Sequence, residues 1–112
     1  MRVDVRVDPA TGERPPPGTT VHVQLRDTSL ADAPAQVLAE SEAIVGEGAG
    51  PVLASVELPD PPAADRVTVW AHADVAGNRK VSIGDYVTTQ SHPVPSPEQQ
   101  PASLDVTVRP VR

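Results

Sequence analysis

Valine alternates with a polar residue from the start of the chain, Arg2-Val3-Asp4-Val5-Arg6-Val7-Asp8, and related period-two segments follow. A period of two gives one apolar and one wet face, the mark of a half-buried β-strand. Thr20–Arg26 sets Val21, Val23 and Leu25 against His22, Gln24 and Arg26. Ala35–Glu42 offers Val37 and Ala39 as inward positions. It is short enough for a single helical turn, but Pro34 before it and Gly46, Gly48 and Gly50 after it favour an extended segment. Val52–Leu58 aligns Val52, Ala54, Val56 and Leu58. Arg66–Asp74 aligns Val67, Val69, Ala71 and Ala73 opposite Thr68, Trp70 and His72. Lys80–Thr89 reads as a strand after a tight turn at Gly77-Asn78, and Leu104–Val111 closes the series with Leu104, Val106 and Val108 inward.

Proline and glycine separate these segments. Pro9 to Gly18, Pro59 to Pro62 and the run of Pro93, Pro95, Pro97 and Pro101 are connectors stiffened by their fixed backbone angle. No stretch carries a helical period and no repeat is present. Short alternating strands at this spacing predict one all-β domain over residues 1–112, an antiparallel β-sandwich of about seven strands.

Composition sharpens this picture. The 112 residues include no Phe, one Trp and one Tyr, so the core must rest on Val, Leu, Ile and Ala, which suits pleated surfaces. The formal charge of −6 and the scatter of the basic residues exclude a nucleic-acid binder, which needs clustered Lys and Arg against phosphates. An acidic, soluble surface is the expectation. With no Cys there is no disulfide framework, thiolate metal site or lipidation site. No secretory signal and no apolar stretch of membrane-spanning length is legible, so no membrane insertion is expected. The expected location is cytoplasmic, or periplasmic and outer-membrane-associated if a signal segment precedes these residues.

Candidate chemistry is sparse. His22, His72 and His92 lack the paired spacing of a metal site, and no thiolate accompanies them. Ser29, Ser41, Ser55, Ser82 and Ser91 lack a nucleophile elbow, and the glycines at 46, 48 and 50 precede no phosphate-binding Lys-Ser/Thr. Asp74, Asn78, Ser82 and Asp85 fall at positions 1, 5, 9 and 12 of a calcium-loop pattern. Ala76, Arg79 and Lys80 occupy its third, sixth and seventh positions, so a hairpin turn at Gly77-Asn78 is the better reading. No cofactor and no catalytic group is assigned.

Two binding candidates remain. Trp70, with Thr68 and His72, lies opposite the apolar face of its strand, where an exposed ring would anchor a protein partner. A covering loop, or faces reversed by a bulge, would instead bury it. Asp27, Ser29 and Asp32 form a polar loop at a strand end. They offer either a contact surface or side-chain-to-backbone turns.

The order of these pieces resembles a known family. Val21, Val23, Leu25, Asp27, Ser29, Leu30, Asp32, Ala33, Pro34 and Ala35 stand in a Val-x-Val-x-Leu-x-Asp-x-Ser-Leu-x-Asp-Ala-Pro-Ala block. After a Pro-Pro-Gly connector, this is similar to the YbaY/YscW-like group of type III secretion lipoprotein chaperones, the pilotins. Pro51 with the strand after it, and Gly84 to Val94, also resemble that group. The likeness spans roughly residues 2–109. It implies a transthyretin-like β-sandwich that helps an outer-membrane secretin reach its place. The family's signal peptide and lipidated Cys have no counterpart among these residues.

The reading that follows is a non-enzymatic accessory module that binds another protein, or its own copy, through a sheet face or edge. The first and last strands are the candidates for strand addition. The alternative is a small-molecule binder or enzyme using an internal cavity where His22, His72 or Tyr86 meets carboxylates. A third is an accessory domain of a larger protein.

Overall fold

The computed structural model describes residues 2–9, 14–27, 36–47, 50–58, 67–89, 92–94 and 102–112. Seven strands follow one another: β1 (Arg2–Pro9), β2 (Thr20–Asp27), β3 (Gln36–Ile44), β4 (Val52–Glu57), β5 (Val67–Asp74), β6 (Tyr86–Val87) and β7 (Ala102–Pro110). No helix occurs among the described residues.

The strands form one continuous sheet in the order β3-β2-β5-β6-β7-β1-β4. The expectation of an antiparallel, transthyretin-like sandwich is corrected here on two counts. The sheet curls so that its two edge strands, β3 and β4, approach each other, giving a near-closed barrel in place of two separate sheets. β6 makes this continuity possible, pairing with β5 through His72 and Ala73 and with β7 through Arg109 and Pro110. In addition, β1 and β7 run parallel, from Val3 beside Ala102 to Pro9 beside Val108, while the other pairs are antiparallel.

Alternation builds the core. Val3, Val5 and Val7 of β1 meet Val21, Val23 and Leu25 of β2, Ala54 and Val56 of β4, Val69, Ala71 and Ala73 of β5, and Val106 and Val108 of β7. Each of these side chains is buried, and Leu25 heads the fully buried ones by size. Aliphatic burial thus supplies the main favourable term, at about 25 cal/mol per Å² of apolar surface.

Four expectations fail locally. Val37, expected to face inward, is 44% exposed. Leu25 pairs with Ala39 and Arg26 with Val37, so Leu38 is the extra residue of a bulge that reverses the phase of β3. The strand expected over Lys80–Thr89 shrinks to Tyr86–Val87, because residues 75–85 form an irregular loop. The tight turn lies two residues earlier than Gly77-Asn78, centred on Val75-Ala76: the Gly77 N–H donates to the Asp74 carbonyl at 3.3 Å. Finally, β1 and β7 are interior strands, so neither is available for strand addition; the edges are β3 and β4.

Candidate functional site: the outer face of β2 and β5

Register decides which polar residues meet outside the barrel. Opposite each other on β2 and β5 stand Arg26 and Thr68, Gln24 and Trp70, and His22 and His72. All six point away from the core, since Leu25, Val23, Val69 and Ala71 between them point in.

Trp70 is half-buried. The Arg26 guanidinium carbon lies 4.1 Å above its ring centroid, a cation–π stack on a partly desolvated face. Burial lowers the Arg26 pKa from its ordinary value. The Arg26 Nε donates to Gln24 Oε1 at 2.8 Å, and the Gln24 Nε2 donates to Glu40 Oε2 on β3 at 3.3 Å. One polar chain therefore crosses three strands and fixes the ring's lid. Thr68 is also half-buried and forms a bridge with Pro93, so β5 is paired along both sides at this level.

His72 lies elsewhere than its position predicts. It is 1% exposed because the 75–85 loop covers this end of the face. Its Nε2–H donates to Asp85 Oδ2 at 2.8 Å, and its ring lies 5.6 Å from Trp70 and 5.8 Å from His22. His22 in turn sets Nδ1 3.3 Å from Glu42 Oε1 and Nε2 3.4 Å from Asp74 Oδ2.

The two carboxylates organise the loop. Asp74 Oδ1 accepts the N–H groups of Gly77 and Asn78, and its Oδ2 accepts that of Arg79 at 2.8 Å. Asp85 Oδ1 accepts from Ala76, and Oδ2 from Ser82 and His72. Burial pushes both carboxyl pKa values up, but the hydrogen bonds outweigh it. Those from Arg79, His22, Asn78 and Gly77 hold Asp74 below the usual carboxylate range. Those from His72, Ala76 and Ser82 do the same for Asp85, aided by the charge of His72.

His72, Asp74 and Asp85 bring ligand-type atoms within 4.8 Å of one another. Every carboxylate oxygen there already faces N–H donors, and a cation would need those donors turned away. The calcium-loop spacing of Asp74, Asn78, Ser82 and Asp85 is thus the spacing of a self-capped loop. The Asn78 Nδ2 donates to Ser82 Oγ at 3.2 Å inside it.

The remaining candidates separate. Asp27 ends β2 opposite Val67, half-buried, while Ser29 and Asp32 lie outside the described residues. Tyr86 packs into the core and His92 accepts the Thr107 N–H at Nε2, so neither joins the histidine pair on β2 and β5. A surface hollow lies on the other side of the barrel, between Asp4, Arg6, Leu53, Ser55 and Ser103. Sequence reading missed Arg26 and Gln24 as partners of Trp70. They were visible as wet positions of β2, but only the β2–β5 register seats them beside the ring.

Among known proteins, a solved structure of an alternative pilotin from the type II secretion system of Vibrio cholerae is similar, with a TM-score of 0.78 and 23% identity over 100% of this chain and 97% of that one. That likeness establishes the fold. Among curated proteins none matches. A family model described as type III secretion system lipoprotein chaperone (YscW) matches residues 2–108. The protein is therefore a member of the YscW family of secretion chaperones, an accessory protein of pilotin type.

Proposed function

We propose that this accessory protein holds its client through the outer face of β2 and β5, with Trp70 as anchor, and that the client is an outer-membrane secretin. The observation that carries the choice of face is the Arg26–Trp70 stack, a large ring held half-open under a fixed cation. Trp and Arg dominate binding energy at protein interfaces because they combine apolar area with directional polar contacts. The client class comes from the family description and from the pilotin that shares the fold. The role is non-enzymatic and belongs to the cell envelope, where a secretin is assembled.

The test is a tagged pull-down from native-source lysate, with wild type beside Trp70→Ala and Arg26→Ala and circular dichroism to confirm folding. Secretin retained by the wild type and lost by folded Trp70→Ala is the expected result. A folded wild type that retains no secretin overturns the client, and full retention by both variants overturns the face.

A further inference from the structure

Of the six large aliphatic side chains left exposed among the described residues, four gather at one end of the barrel, while Leu53 lines the hollow beside Arg6 and Ser55. Ile44, Val75, Val81 and Ile83 are 61%, 38%, 47% and 82% exposed. Thr20 pairs with Ile44 on one side and with Asp74 on the other, so Ile44 and Val75 flank the same end of β2. The loop carrying Val81 and Ile83 closes on the chain's last residues at that end: the Gly84 N–H donates to the Val111 carbonyl at 2.9 Å, and the Val111 N–H to that of Asp85 at 2.8 Å. Val37, by contrast, lies near the other end, second in β3.

The charges of the 75–84 loop are segregated too, while Glu42 and Glu47 stand exposed on either side of Ile44. Arg79 and Lys80 stand between the aliphatics, exposed and without an ion-pair partner among the described residues. Residues 75–84 contain no carboxylate, and the flanking Asp74 and Asp85 turn inward, 5% and 0% exposed. A chain of net charge −6 therefore presents, at this rim, a loop that is cationic and aliphatic. The loop is pre-shaped by the N–H groups that Asp74 and Asp85 bind, even to the point of holding Arg79 at φ 63°.

Exposed aliphatics flanked by cations match the boundary of an anionic bilayer, where phosphates meet Lys and Arg and the apolar groups enter the headgroup region. A second copy fits poorly, since symmetric rim-to-rim contact would set Arg79 and Lys80 against their own equivalents. No helix among the described residues is long and apolar enough to cross a membrane.

We propose that the rim formed by Ile44, Val75, Val81 and Ile83, with Arg79 and Lys80, docks on an anionic lipid surface. It uses residues separate from the Trp70 face, so either assignment stands or falls alone.

The test is co-sedimentation of the full chain with vesicles of an equimolar phosphatidylglycerol–phosphatidylcholine mixture, beside phosphatidylcholine alone. Wild type sediments with the anionic vesicles. Lys80→Gln weakens this roughly fivefold, and the double substitution Val81→Ser, Ile83→Ser by about tenfold or more, with unchanged thermal midpoints. Sedimentation no greater than with phosphatidylcholine alone, or undiminished in the folded double variant, overturns the assignment and leaves the rim to an acidic protein partner.

Discussion

His72 Nε2 donates to Asp85 Oδ2 at 2.8 Å with both side chains buried, and this bond joins the middle of the sheet to the loop that covers it. Replacing Asp85 by Asn keeps the size but removes the charge that receives three N–H donors. We expect Asp85→Asn to lose about 2–4 kcal/mol of stability. Urea titration measures it, and a loss below about 0.5 kcal/mol would refute the anchoring role.

Acid should act through the same groups. Asp74 and Asp85 have folded-state pKa values below the ordinary value, so the unfolded chain binds protons first as pH falls. Their contribution is complete above the unfolded carboxyl pKa of about 3.9 and disappears as pH drops through the lower folded values. Urea midpoints measured from neutral pH downward should fall most steeply below about pH 4, and less so in Asp85→Asn. Equal slopes in both proteins would contradict the assignment.

Backbone conformation can be tested without disturbing packing. Gly84 sits at φ 96° with no atom within 4 Å of the place a methyl group would take, whereas Gly46 is equally uncrowded at an ordinary φ. Gly84→Ala should cost about 1–2 kcal/mol from backbone strain alone, and Gly46→Ala close to nothing. Similar thermal midpoints for the two variants would count against that reading.

In the core, Leu25→Ala removes the largest of the fully buried side chains from a cluster made mostly of valines. The loss should be about 2–5 kcal/mol, the higher end if rigid β-branched neighbours cannot collapse into the gap. Chemical denaturation with an unchanged m-value is the check.

Arg26→Ala, by comparison, should cost only about 0.5–1 kcal/mol, because the cation–π stack is partly hydrated. A double-mutant cycle with Trp70→Ala isolates the coupling, and zero coupling would mean the stack is incidental.

The strands were legible because Val3, Val5, Val7, Val21, Val23, Val56, Val106 and Val108 fall at strict intervals of two within their strands, and β-branched residues serve that period. Where the pattern misled, local hydrogen bonds had overruled it. Val81 and Ile83 alternate as in a strand, but the carboxylates of Asp74 and Asp85 claim the N–H groups of Ala76 to Arg79 and of Ser82. The bulge at Leu38 inverted Val37 for want of any sequence mark. Trp70 was readable as an outward residue, whereas Arg26 above it and the loop over His72 depend on register and long-range closure, which alternation does not encode.

The parallel pairing of β1 and β7 also has a mechanical consequence. Seven residue pairs from Val3–Ala102 to Pro9–Val108 link strands whose outer ends, Arg2 of β1 and Pro110 of β7, point in opposite directions. Tension applied between those ends loads the paired positions together in shear, a geometry that resists rupture far better than peeling bonds apart one by one.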